Sequence, residues 1–117
     1  VDQANSNVKF FINGTQIRFQ KILNLPFKDL RKLIDEGKKE IKEGIIIVYS
    51  INENKVGLAV GITKTLTAKF DAVKIVKVGS EVIGGKGGGG RNDFAQAGGI
   101  LPNKIEDSFK SIKKLIN

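Results

Sequence analysis

Residues 45–63 read IIIVYSINENKVGLAVGIT, two apolar runs around a short polar break. Ile45 to Ile51 and Lys55 to Thr63 are rich in Ile and Val, and Asn52-Glu53-Asn54 between them is turn chemistry, so the pattern predicts a hairpin. IIIVYS and VGLAVGI are apolar at odd and even positions alike, so both faces of the pair must be covered. The hairpin belongs in the middle of a sheet with helices against it.

Working outward, Val8 to Ile12 and Ile17 to Leu23 are β-type runs around Asn13-Gly14, a pair suited to the positive φ angles of a tight turn. This predicts a second hairpin. From Phe27 the apolar residues fall at Phe27, Leu30, Ile34 and Ile41, one stripe of a helix that Pro26 can open and Gly44 can end. Between them lie charges of both signs, from Lys28 to Glu43, which read as a solvated face. Downstream, Leu66 to Ile83 carries Leu66, Phe70, Val73 and Val76 on one stripe and Asp71, Lys74, Lys77 and Glu81 on another. AVKIVKV within it is also β-branched and alternating; length and charge favour helix. Near the end, Pro102, Asn103 and Glu106 resemble a capping-box start, and Ile105, Phe109, Ile112 and Ile116 form a stripe to bury. Lys110, Lys113 and Lys114 then lie off that stripe, near the end where positive charge suits the helix dipole.

Composition narrows the chemistry. The 117 residues suit one domain, and the chain contains no Cys, His, Met or Trp. That inventory excludes a disulfide, a thiol nucleophile and the usual zinc ligands. The start VDQANSN is neither a signal peptide nor an initiator Met, so the chain is expected to be a piece of a longer protein. No apolar run nears the ~20 residues that span a bilayer, and a soluble protein with no membrane partner is expected. The net charge is +8, with +3 from residues 1–63 and +5 from residues 64–117, which favours an anionic partner.

The more basic half contains GGKGGGGRNDFAQAGG, residues 84–99. It is not a P-loop: aligned on Lys86, the first glycine position is Ser80 and the hydroxyl position is Gly87. Nor does it suit a dinucleotide fingerprint, because the glycines follow a predicted helix rather than a strand. Clustered glycines can instead let successive N–H groups form an anion-binding nest, with Lys86 and Arg91 adding charge. Asp93 and Gln96 have two open readings, a binding role or the satisfaction of buried backbone groups. Phe94 reads as core before it reads as a stacking surface.

This motif closely resembles the signature GGKGGGRPDMAQAGG of the DHH-associated C-terminal domain of alanyl-tRNA synthetases. LRKLIDEGKKEI, the 44–67 strand pair and KFDAVKIVKVGSEVIGG resemble the family's preceding segments, so the likeness runs from Val8 to the end. The departures are one extra glycine before Arg91, Asn92 in place of Pro and Phe94 in place of Met. The resemblance implies an α/β (α+β) fold, a mixed or antiparallel sheet with helices packed on it and a glycine-rich loop before a C-terminal helix. It implies a single domain over 1–117, with 1–7 left over from a preceding helical arm, and a helix at 66–83.

The resemblance also implies a role: binding the body of tRNA(Ala) at its elbow and holding it for the aminoacylation and editing domains of a cytoplasmic ligase of protein biosynthesis. ATP, Mg²⁺ and Zn²⁺ are implied for those other domains, with no cofactor and no catalysis here. Partners are tRNA, the other domains of the synthetase and, in some members, a second copy. The candidate RNA contacts are Lys86 and Arg91 with the N–H groups of Gly87, Gly88, Gly89 and Gly90, then Lys64, Lys110, Lys113 and Lys114; Asp93, Gln96, Gly98 and Gly99 are structural motif positions. Two alternatives are a nucleotide- or nucleic-acid-binding domain of a DHH phosphodiesterase, whose relatives carry a GGGH-like motif that this His-free chain lacks, and a mainly structural or dimerisation module.

Overall fold

The computed structural model of the chain describes residues 6–85 and 88–116. The elements run β1 (Ser6–Ile12), β2 (Thr15–Leu23), α1 (Leu30–Glu40), β3 (Ile45–Asn52), β4 (Lys55–Ile62), α2 (Ala72–Val82), β5 (Gly88–Gly90), β6 (Phe94–Gly99) and α3 (Ile105–Ile116). The strands form one six-stranded sheet in the order β1-β2-β3-β4-β6-β5. Among the described residues only the β2–β3 pair is parallel, because α1 carries the chain back across the sheet between them. The sheet is therefore mixed.

Both predicted hairpins form. Asn13 and Gly14 have φ of 49° and 81°, and Glu53 and Asn54 have 53° and 64°, so each two-residue turn sits in the left-handed region that matches strand twist. The second turn is shorter than the Asn52-Glu53-Asn54 read from sequence, since Asn52 pairs with Lys55 as the last rung of the ladder.

Two apolar layers cover the central strands. On one face α2 and α3 bury Ile45, Ile47, Tyr49, Leu58, Val60 and Ile62 with Ile75, Val76, Ile105 and Ile112. On the other, Leu30, Ile34 and Ile41 pack on Ile46, Val48 and Ala59. The register places Gly57 and Gly61 on this α1 face, and a Cβ at Gly61 would lie 2.2 Å from Cγ2 of Ile34. Missing side chains in β4 thus let α1 approach closely, which no hydrophobicity pattern states.

One buried polar chain ties the other face together. The Tyr49 hydroxyl lies 2.6 Å from Ser108 Oγ, and Ser108 Oγ donates to the Gly79 carbonyl at 2.7 Å, linking β3, α3 and α2. Burial pushes the Tyr49 phenol above its usual range.

Several boundaries differ from expectation. The first helix opens as a 3-10 turn over Phe27–Asp29 and ends at Glu40, with Ile41 already extended but still buried. The helix expected over 66–83 begins at Ala72, where Asp71 accepts from the Val73 N–H at 2.9 Å. Leu66 and Phe70 still pack on the core as their stripe requires, from a 3-10 turn at Lys64–Leu66 and the turn after it. No capping box opens α3: Asn103 lies inside a 3-10 turn, Pro102–Lys104, with no side-chain cap at its start. The glycine-rich stretch is not simply a loop, because Gly88–Gly90 pairs with Phe94–Gly99 as a strand. Ser6 and Asn7, read as the end of an arm, are the first residues of β1; residues 1–5 lie outside the described ones.

Candidate nucleic-acid interface

The pairing registers align Ile12 with Thr15, Ile17 with Ile45, Ile45 with Ile62, Gly61 with Phe94 and Gly90 with Ala95. These residues mark one end of the sheet. That end carries the β1–β2 turn, the entry to β3, the Lys64 turn, the start of α2 and the Arg91-Asn92-Asp93 turn between β5 and β6.

Four hydrogen bonds pin the Arg91 turn. Arg91 N–H donates to the Phe94 carbonyl at 2.6 Å, and the Asn92 carbonyl accepts from the Ala72 N–H at 2.9 Å. The Asp93 carbonyl accepts from the Ile62 N–H and from Lys38 Nζ, each at 2.9 Å. Strand β4, α1 and α2 therefore all hold this turn, and the exposed Arg91 side chain leaves from a fixed backbone.

Two adjoining hollows flank it. The first, of about 240 Å³, is lined by Arg31, Asp35, Lys38, Gly90, Arg91, Asp93 and Phe94. The second, of about 580 Å³, is lined by Lys38, Ile62, Lys64, Thr67, Arg91, Asn92 and Asp93. Lys38, Lys64 and Arg91 face the second hollow against Asp93, the one carboxylate among its described lining residues, a local excess of positive charge. Thr67 Oγ1 donates to the Lys64 carbonyl at 2.8 Å and holds the Lys64 turn.

The structure thus brings Lys64 and Arg91 together. Lys110, Lys113 and Lys114 form a separate group, lining a hollow of about 390 Å³ with Ile12. α3 lies over β1 and β2, where Phe109 stacks on Phe19 with centroids 4.2 Å apart. Its last turns reach the same end of the sheet as Arg91, at the opposite lateral edge. Lys86 and Gly87 lie outside the described residues.

The glycines do other work than a nest. Gly88, Gly89 and Gly90 lie in an extended ladder, whose successive N–H groups point to opposite sides, and Arg91 N–H is already bonded to Phe94. They do not converge on an anion. Gly90 has φ of 152°, and a Cβ there would sit 2.3 Å from the Phe94 carbonyl, so glycine is needed for the pairing itself. Gly98 and Gly99 lie in β6, Gly99 against Ile83.

Gln96 satisfies a backbone group, its Nε2 donating to the Phe27 carbonyl at 3.0 Å across the α1 face. Asp93 works through its carbonyl, while its carboxylate faces Lys38 at 4.0 Å. Phe94 packs with the α1 core, and the Arg31 guanidinium lies 5.2 Å from its ring centroid. Arg31 and Lys38 escaped the sequence reading because they sat among mixed charges. Their signal was the 31, 35, 38 spacing, one stripe of α1, which borders the turn.

Residues 14–117 match the DHHA1 domain. The chain belongs to the DHHA1 domain family. This DHHA1 domain is 40% identical over 104 residues to an alanine–tRNA ligase of Bradyrhizobium diazoefficiens, covering 88% of the chain and 12% of that relative. It is 41% identical to that of Parvibaculum lavamentivorans over 104 residues, with the same coverage. The chain thus spans about 12% of the length of these curated relatives. Among solved structures, the C-Ala domain of Aquifex aeolicus alanyl-tRNA synthetase superposes with a TM-score of 0.86 at 25% identity, covering 92% of this chain and 96% of that one. The six-stranded mixed sheet with helices on both faces is the architecture they share. A DHH domain described as a member of the s1p family of ribosomal proteins has a TM-score of 0.61 at 18% identity, covering 94% of this chain and 27% of that one, a likeness of fold alone. Among the described residues, no helix is long and apolar enough to cross a membrane.

Proposed function

We propose that this DHHA1 domain binds the sugar-phosphate backbone of folded tRNA through the basic end of its sheet. The observation that carries the reading is the clustering of Lys38, Lys64 and Arg91 around one fixed turn, with Lys110, Lys113 and Lys114 at the same end. Ammonium and guanidinium groups attract phosphate without reading sequence, so the contact selects shape and is sensitive to salt. The turn is held by three neighbouring elements before RNA arrives, which reduces the ordering that binding requires.

The larger protein, in this reading, is an alanine–tRNA ligase of the cytoplasm, and the domain keeps tRNA(Ala) near its aminoacylation and editing domains. Self-association belongs to the same proposal. ATP, Mg²⁺ and Zn²⁺ act in the other domains: this chain has no His or Cys to ligate zinc, and among its described residues no group of acidic side chains could hold a metal. No step of that chemistry is assigned to its residues. Identity of 40% to alanine–tRNA ligases favours the synthetase reading over a DHH phosphodiesterase, for which the support is the fold.

Filter binding of the chain to tRNA across a salt series tests the proposal. Affinity should fall steeply with salt, and Lys64→Ala with Arg91→Ala should reduce the log–log slope by about 1 to 2. No affinity at low salt, or an unchanged slope in the double variant, counts against it.

A further inference from the structure

We propose that Lys38 is a positioning residue of the basic hollow: it holds the turn that presents Arg91 and acts on RNA through Arg91 rather than as a phosphate ligand. The proposal rests on the RNA-binding reading above and divides the work among the cations of that site.

The place of Lys38 follows from the strand beneath it. Gly61 faces α1, and Ile34 fills the space that its missing side chain leaves. Lys38 stands one helical turn beyond Ile34 on the same stripe of α1, and its stem crosses the same gap: a Cβ at Gly61 would lie 3.0 Å from Lys38 Cε. Gly61 pairs with Phe94 of β6, so a stem laid over Gly61 ends beside the residue before Phe94. There Lys38 Nζ donates to the Asp93 carbonyl at 2.9 Å and lies 4.0 Å from the Asp93 carboxylate.

This contact gives Lys38 a different task from its neighbours. The Asp93 carbonyl accepts from both the Ile62 N–H and Lys38, which occupies its two lone pairs. The ammonium is thus engaged with the protein itself, and the Lys38 side chain is only 23% exposed. Lys64 and Arg91 are exposed, and among the described residues neither takes part in an ion pair. A phosphate that drew Lys38 outward would break its bond to Asp93 and loosen the turn that carries Arg91. Arg91 lies two residues before Asp93, so fixing the Asp93 carbonyl fixes the direction in which the guanidinium leaves the backbone. A charged group held in place before the ligand arrives loses less freedom on binding.

Lys38→Met keeps the apolar stem over Gly61 and removes the ammonium, and urea melts should show that the domain remains folded. Amide exchange should accelerate at Ile62, Ala72 and Arg91, whose N–H groups make the other bonds of the turn, and not in the β1–β2 hairpin. With tRNA as the probe at low salt, Lys38→Met should weaken binding to within about 2-fold of Arg91→Ala. The two together should bind within about 2-fold of Arg91→Ala alone, the margin to which independent sites add. The log–log salt slope of that double variant should fall by about 1, where two separate phosphate contacts would remove about 2. Lys38→Met with Lys64→Ala should instead show the product of the two single losses, because Lys64 stands on its own turn. If the losses of Lys38→Met and Arg91→Ala multiply, Lys38 is itself a phosphate ligand; the inference falls and the RNA reading stands. The inference falls in the same way if Lys38→Met binds tRNA as the wild type does, or if exchange at the three amides is unchanged. If the wild type binds no tRNA at low salt, both fall.

Discussion

Strand β4 presents Val56, Leu58, Val60 and Ile62 to α2 and α3, but Gly57, Ala59 and Gly61 to α1. One face is filled by large side chains from both layers. The other is closed because the sheet withdraws its side chains and the helix descends into the space, with Ile34 over Gly61 and Phe27 and Leu30 over Gly57. Apolar burial drives both arrangements, but they are vulnerable to opposite changes: the first to loss of volume, the second to gain.

The largest effect should come from hollowing the filled face. Leu58→Ala removes a fully buried side chain and should destabilise the chain by about 2–5 kcal/mol in urea unfolding. Adding one carbon on the other face tests the contrast. Gly61→Ala brings a Cβ against Ile34, and should cost about 1–3 kcal/mol while accelerating amide exchange in α1 more than in α3. An unperturbed Gly61→Ala would show that α1 has room to move and would erase the distinction between the faces.

The polar chain on the filled face gives a smaller effect. Ser108→Ala leaves the Tyr49 hydroxyl buried without the Ser108 oxygen and should cost about 1–2 kcal/mol. Tyr49 also makes stability depend on pH. Its folded-state pKa is raised by burial, so its contribution is complete below the unfolded value of about 10 and is lost as pH rises from there toward the folded value. Tyr49 is the chain's single tyrosine, so phenolate absorbance should appear together with alkaline unfolding, and Tyr49→Phe should remove that part of the pH slope. The smallest effect is expected at Gly89, where a Cβ would meet nothing within 4 Å. Gly89→Ala should change stability by no more than about 0.5 kcal/mol, unlike a substitution at neighbouring Gly90.

The hairpins and the α1 stripe were legible in the sequence because Asn13-Gly14, the Ile- and Val-rich runs and the 30, 34, 41 spacing act locally. The glycine-rich stretch was legible as a family marker but not as a strand. Glycine disfavours strands intrinsically, and β5 exists because β6 offers Gly88–Gly90 a ladder to join. The start of α2 was misjudged for a related reason: Leu66 and Phe70 keep the spacing of a helix while packing from turns.

In the site, Lys64 and Arg91 were named from charge and motif, 27 positions apart in the chain, and the fold brings them to one hollow. Lys38 and Arg31 were hidden among the mixed charges of α1, since their partners Asp93 and Phe94 lie more than fifty residues away.

By itself the sequence determined the kinds of element, their apolar faces, the excess of positive charge and the family, because turn chemistry, periodicity and a motif are properties of neighbouring residues. The tertiary structure alone decided the strand order, the parallel β2–β3 pair, the strand made of glycines and the gathering of Lys38, Lys64 and Arg91. Those depend on which distant backbones pair and how closely helices approach the sheet, and no local pattern specifies either.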